Sequence, residues 1–196
     1  MGVDPRCREA AGGDRVLQER VLKDSDGGLR NTFVYLQGTF PRTAVPEAPV
    51  TVDQRGCVYA PRVVGVRVGQ SLQIRNSDPV AHNVHSSSRV RANEFNVNQP
   101  RAGLVHTYKF SREDVMVHLG CDVHNWMNAY VGVLDHPYFD VSSNSGAFLI
   151  RDIPSGTYVI QSWHERYGIL KKNVTVSAGE TRTVEFLYTG NESAPD

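Results

Sequence analysis

Cys121, His124 and Met127 stand at positions n, n+3 and n+6 of the stretch Cys121-Asp122-Val123-His124-Asn125-Trp126-Met127. A thiol, an imidazole and a thioether are donors that suit copper. A trigonal set of two histidines and one cysteine with a weak axial methionine is the pattern of blue-copper electron-transfer sites. The stretch is one histidine short. The upstream run Asn76-Ser77-Asp78-Pro79-Val80-Ala81-His82-Asn83-Val84-His85 supplies it as His82. Cysteine ligates well only as thiolate, and a bound metal lowers its pKa enough to make it one. Three ligands on one short loop leave one side of a metal open, so a residue on a neighbouring strand must close it. The expected set is His82, Cys121, His124 and Met127 on one type 1 copper ion.

Other readings of the same residues are weaker. A methionine alone is more often core filler than ligand. Structural zinc prefers four strong ligands, and thioether is a poor one. A Cys–His nucleophile needs an orienting group and an oxyanion feature, and neither shows in the sequence. His85 lies three residues past His82 on the same extended run and is expected to point away from the metal. His106, His118 and His136 read as half-buried or surface residues. Whether His85, His118, His136 or His164 form a second metal site is open at this level.

Short strands must position these ligands. Thr32–Leu36, Val50–Val52, Val63–Val68, Ser71–Arg75, Thr107–Phe110, Val115–Leu119 and Ala129–Leu134 are β-branched, aromatic or alternating, and are bounded by turn residues. Asp53–Gly56 reads as a turn, and Arg89–Gly103, rich in Asn and Arg, as a loop. Ser145–Ile150, Thr157–Trp163, Asn173–Val176 and Thr183–Tyr188 continue the pattern after residue 136. Residues 1–15 read as irregular, Arg15–Lys23 as a short helix or strand, and the tail 189–196 as disordered. No segment carries a long helical period. The fold class expected is all-β, as sandwiches or barrels.

The His82-Asn83-Val84-His85 and Cys121…His124…Met127 spacings together resemble the cupredoxins, and among them the amicyanin-like and plastocyanin-like group. The likeness covers about residues 46–135, under half of the chain. It implies a Greek-key β-sandwich or barrel and the four ligands above. It also implies Asn83 as a residue bracing the ligand loop, and His124, Asn125 and Trp126 as the docking patch through which electrons enter. Asn125 departs from the family, whose loops often carry proline after the histidine. Residues 141–158, with Gly146-Ala147-Phe148 and Pro154-Ser155-Gly156-Thr157-Tyr158, resemble a second family, the carboxypeptidase regulatory-like (transthyretin-like) sandwich. Val16–Gly38 looks like that family's opening hairpin. The implied organisation is an insertion, with 46–135 as the copper domain and 1–45 plus 136–196 as the second sandwich. The simpler alternative places 16–38 in the first sheet. Trp163-His164-Glu165 reads as a capped strand end with a packed indole, ahead of a second metal site.

Three cysteines are present, Cys7, Cys57 and Cys121. With Cys121 on copper, Cys7–Cys57 is the obvious disulfide of an exported protein. Three reduced thiols, or a Cys57–Cys121 bridge that would destroy the copper site, are the alternatives. Basic and acidic residues balance at 21 each, which points away from nucleic acid or an anionic membrane as the main partner. No run approaches the roughly 20 apolar residues of a membrane helix. The start Met1-Gly2-Val3-Asp4-Pro5-Arg6-Cys7 has no apolar signal core, which taken plainly says cytoplasm. A copper–thiolate site suits an oxidising compartment better, so a periplasmic or extracellular location is expected. The expected function is a monomeric, non-enzymatic carrier of single electrons. Its partner would be a redox protein, either a cytochrome c or a periplasmic dehydrogenase or oxidase. The alternatives are a copper-binding or delivery protein, and a structural β-module of a larger redox complex.

Overall fold

The computed structural model describes residues 5–13 and 20–192. In chain order these form helix α1 (Pro5–Ala10) and strands β1 (Phe33–Gln37), β2 (Val50–Arg55), β3 (Val58–Ala60), β4 (Val63–Arg67), β5 (Ser71–Asn76) and β6 (His82–Ser87). A 3-10 turn (Arg91–Asn93) follows. Then come β7 (Asn96–Gln99), β8 (Val105–Lys109), β9 (Asp114–Gly120), β10 (Asn128–Leu134), β11 (Phe139–Val141), β12 (Gly156–His164) and β13 (Gly168–Val176). The expected all-β class is the class observed. The chain divides into two compact units, one drawn from Met1–Gln18 and Ala44–Asp135, the other from Glu19–Thr43 and His136–Asp196.

The first unit has two sheets, ordered β4-β10-β9-β6-β7 and β3-β2-β5-β8. Alternation writes the core directly. In β5, Leu72, Ile74 and Asn76 point in, while Ser71, Gln73 and Arg75 do not. Val52, Leu72 and Ile74 of one sheet meet Val64, Val66, Val84, Val117, Leu119, Val131 and Val133 of the other in a single apolar cluster. In β9 Met116 has φ +94° and is the extra residue of a bulge, where the register with β10 shifts. Beyond it Val117, Leu119 and Cys121 keep a period of two and all face inward. The thiol is therefore aimed by the same alternation that fills the core.

Sequence boundaries need correction at three places in this unit. The region 53–56 is not a four-residue turn: β2 runs on to Arg55, and Gly56 (φ +65°) and Cys57 (φ +55°) make the corner to β3. Positive φ at both central residues matches the twist of a two-residue hairpin. The polar stretch 89–103 contains edge strand β7, paired to β6 from His82↔Gln99 to His85↔Asn96. Its polar composition hid it because one face of an edge strand is solvated. The irregular start contains α1, pinned by the Cys7–Cys57 disulfide. That bridge also places the described N-terminal residues with the first unit, not with the C-terminal module as expected from 1–45.

The second unit is built on one antiparallel sheet, β11-β1-β12-β13. Val34, Leu36, Tyr138 and Ile160 form its core, with Phe148, Ile150, Val184 and Phe186 packed against it. The segments 145–150 and 183–188, expected as strands, have alternating burial but join no sheet. Alternation reports which face is covered; it does not report a hydrogen-bonded neighbour. Arg15–Glu19 of the 15–23 element, and residues 193–196 of the tail, lie outside the described residues. Lys23 forms an isolated bridge with Leu29.

Candidate metal centre

The loop 121–127 joins β9 to β10, and β6 lies beside β9 with His85 opposite Gly120. This pairing brings the start of β6 to the loop. His82 and Asn83, at the start of β6, come to rest against the Cys121 end of β9. One Nδ1/Nε2 or Sγ atom from each of His82, Cys121 and His124 lies within 4.8 Å of the others. Met127 sits in the same buried cluster as Cys121, and its backbone N–H donates to His124 O at 2.9 Å. All four side chains are buried: exposure is 2% for His82, 3% for Cys121, 3% for His124 and 0% for Met127.

Outer hydrogen bonds fix how the two imidazoles present themselves. His82 Nε2 lies 2.9 Å from Asp78 Oδ2. A carboxylate only accepts, so Nε2 carries the proton. His124 Nε2 lies 3.3 Å from Cys7 Sγ, a disulfide sulfur with no proton to give, so in this contact only the nitrogen can donate. Both Nδ1 atoms are then the nitrogens that face inward. They face each other at 3.0 Å in a buried setting beside the Cys121 sulfur. Two facing imidazole nitrogens beside a thiol can hold a cation between them, either a proton or a metal. Soft sulfur, two imidazoles and a thioether are the donor chemistry of copper, and the residues present fit it.

Burial and near neighbours set the charges around this pair. Burial raises the Cys121 thiol, but His82 and the backbone N–H groups of Asn83, His124 and Val123 outweigh it and hold the thiol below its ordinary value. Burial disfavours the charged form of His82, yet Asp78 and Cys121 outweigh burial and hold its pKa above the ordinary value. For Asp78, burial is overcome by His82 and by the Cys57 and Gly56 N–H groups, and the carboxyl stays below the usual range.

Around these four side chains, Asn83 ties β6 to the loop. Its Oδ1 accepts from Asp122 N–H at 2.7 Å and from Cys121 Sγ at 3.4 Å, and its Nδ2 donates to Asp122 Oδ2 at 2.6 Å. Tyr59, which motif spacing could not reveal, is 2% exposed and its hydroxyl meets Gly120 O at 3.1 Å and Asn83 O at 3.3 Å. Burial, with Cys121 and Asp122 nearby, pushes its phenol far up, so it stays a donor. Tyr59→Phe removes the one hydroxyl proton that these two buried carbonyls share and is expected to cost about 1–2 kcal/mol. Urea unfolding of the metal-free protein reads this, and an unchanged midpoint would show that the shared hydroxyl bond contributes nothing.

The docking patch expected at the loop is corrected in its central element. His124 is buried and its edge meets Cys7, while Trp126 is half-buried with its indole N–H donating to Cys57 O at 2.9 Å. Asn125 is exposed. Sequence spacing could not show that a disulfide-bonded helix lies over the histidine. His85 pairs with Asp122 at 2.9 Å, and His118 meets Asn128 Oδ1 at 2.6 Å. Neither they nor His164 join a group of three metal-capable side chains among the described residues. His136, expected near the surface, is 2% exposed, and His164 is 0% exposed, beside Tyr167 at 5.0 Å between ring centroids.

No family model matches the chain, and no curated protein matches it. Solved structures do. A Cu-containing nitrite reductase from Thermus scotoductus SA-01 is 19% identical with a TM-score of 0.41, covering 49% of this chain and 24% of the reductase. This chain thus spans about a quarter of that enzyme's length. A purple cupredoxin from Nitrosopumilus maritimus is 22% identical with a TM-score of 0.37, covering 43% of this chain and 98% of that one. A variant of amicyanin in its Cu(I) form is 21% identical with a TM-score of 0.39, covering 51% and 97%.

Proposed function

We propose that the first unit is a cupredoxin-type copper domain that carries single electrons, with His82, Cys121, His124 and Met127 as the ligands. The observation that carries this reading is the pair of Nδ1 atoms facing each other at 3.0 Å, their outer nitrogens already engaged as donors, beside a buried thiol. Copper bound there would supply one-electron chemistry. The chain's own contribution is to hold the donors in advance. Strand β6, the β9 end and the disulfide-linked hairpin corner each anchor a ligand from outside, so little has to move between oxidation states. Buried ligands favour a carrier over an enzyme, which would need an open position for substrate.

The Cys7–Cys57 bridge supports an oxidising location, periplasmic or extracellular. A redox protein is the partner that this reading implies. For the second unit the proposal is a transthyretin-like sandwich, interrupted in sequence by the copper domain and serving as a scaffold. Its support is the pairing of β1 with β11 and β12 across some hundred intervening residues and the Gly146-Ala147-Phe148 and Pro154-Ser155-Gly156 motifs.

The deciding experiment is the visible absorption and EPR spectrum of the Cu(II)-loaded protein, beside Cys121→Ser. An intense thiolate-to-copper band with narrow hyperfine splitting is expected, and it should vanish in the variant. A pale spectrum unchanged by the substitution would overturn the proposal. Reversible voltammetry separates a carrier from a delivery protein, which would instead surrender Cu(I) readily to a competing chelator.

A further inference from the structure

The two ligand histidines are backed differently. His124 leans on a neutral sulfur, a weak acceptor. His82 leans on Asp78, a carboxylate 2% exposed, whose two oxygens together accept from three N–H groups: His82 Nε2 at 2.9 Å, Cys57 N at 2.8 Å and Gly56 N at 2.6 Å. Each carboxylate oxygen accepts from a backbone N–H, a group that can only donate, and such bonds favour the anion. Its own backbone is fixed as well. Asp78 N–H donates to Asn76 Oδ1 at 2.9 Å, and Asn76 Nδ2 holds Val80 O and Gln99 O, each at 2.9 Å. Ser77 is tied on both sides, by N–H to Gln54 O at 2.9 Å and by Oγ to Asp53 Oδ1 at 2.7 Å. The segment from Asn76 to His82 is thus a built support that presents one buried negative charge to one ligand nitrogen.

We infer that Asp78 is a positioning residue that sets the copper's reduction potential through His82. A carboxylate accepting from a ligating histidine fixes its tautomer and raises its basicity. A more basic, partly anionic ligand favours Cu(II) over Cu(I) and lowers the potential. Asp78 also holds the Gly56–Cys57 corner, and Cys57 is bonded to Cys7, which meets His124. The outer nitrogens of both histidines therefore belong to one continuous brace. The inference deepens the copper reading and rests on it.

The test is voltammetry of copper-loaded Asp78→Asn, with Asp122→Asn as comparison. Asp122 is also an acid beside the ligand loop, but its side chain is 60% exposed and it touches no ligand nitrogen. Asp78→Asn keeps an acceptor for His82 and removes the charge. It is expected to retain the thiolate band and to shift the Cu(II)/Cu(I) affinity ratio about tenfold toward Cu(I), a rise of about 59 mV for one electron. Asp122→Asn should shift it by well under half as much. A shift below threefold in Asp78→Asn, or an equal shift in Asp122→Asn, would overturn the inference. If the variant does not fold, the wild-type Cu(I) protein still decides by nitrogen-15 NMR. His82 protonated at Nε2 and protected from exchange supports the inference, and a solvent-exchanging Nε2 proton overturns it. A wild-type protein with no thiolate–copper band fails the copper reading itself, which keeps the two failures apart.

Discussion

Replacing both Cys7 and Cys57 by serine is expected to lower stability by about 4 kcal/mol and to speed electron self-exchange of the copper form severalfold. The first figure comes from chain entropy. The bridge closes a sequence separation of 50, and a loop of that length restricts the unfolded chain by about 4 kcal/mol. The second effect comes from what the bridge holds down. Helix α1 has six residues, far below the length at which an isolated helix persists. Cys7, 0% exposed, anchors it over the Gly56–Cys57 corner and against His124. Without the bond the helix should leave, and the edge of His124 should reach solvent. Both cysteines are replaced together because a free Cys57 thiol would sit beside Asp78 and His82 as a competing ligand. Denaturant unfolding reads the stability, and NMR line broadening in mixtures of Cu(I) and Cu(II) protein reads the exchange. Unchanged exchange with lowered stability would mean that electrons already pass by another edge, and the cap would then be structural only.

Gly146→Ala is expected to destabilise the second unit by about 3–5 kcal/mol, combining left-handed strain with overpacking. Gly146 has φ +76°, and a Cβ there would lie 2.7 Å from Leu29 N and 2.8 Å from Gly28 Cα. These are backbone atoms and cannot rotate away. The reverse contact is as close, since a Cβ on Gly28 would meet Ser145 O at 2.1 Å. Two glycines thus let the 24–29 turn cross the 143–146 turn, which Ser142 Oγ further ties to Leu29 O at 2.7 Å. Amide exchange should lose protection in β1, β12 and β13. The thiolate–copper band should persist, because every residue of the proposed site lies in the first unit. A loss below about 0.5 kcal/mol, the range of ordinary surface substitutions, would show that this crossing is not under constraint.

The sequence by itself determined the fold class and which donor-type side chains lie close together. Cys121, His124 and Met127 share one short loop, so their proximity needs no tertiary information. Period-two alternation in Ser71–Arg75 predicts a half-buried strand, because side chains in a strand must alternate faces. The Asp26-Gly27-Gly28 motif marks a turn because glycine readily takes the left-handed backbone found at Gly27. Alternation was less informative at 145–150 and 183–188, where a covered face stood in for a ladder that does not form.

Only the tertiary structure decided what backs the donors. Whether His82 leans on Asp78, four residues earlier, depends on Asn76, Ser77 and the hairpin corner 56–57 holding the intervening loop. Tyr59 reaches Asn83 and Gly120 across 24 and 61 residues, and nothing in local spacing reports such a contact. The burial of His124 is the sharpest case. A loop histidine reads as an exposed edge until a helix about 117 residues away in sequence is laid over it. Ligand identity is a matter of side-chain chemistry and short spacing, both of which are local. Tautomer, solvent access and the charge behind each nitrogen are set by groups that only the folded chain brings within hydrogen-bond range.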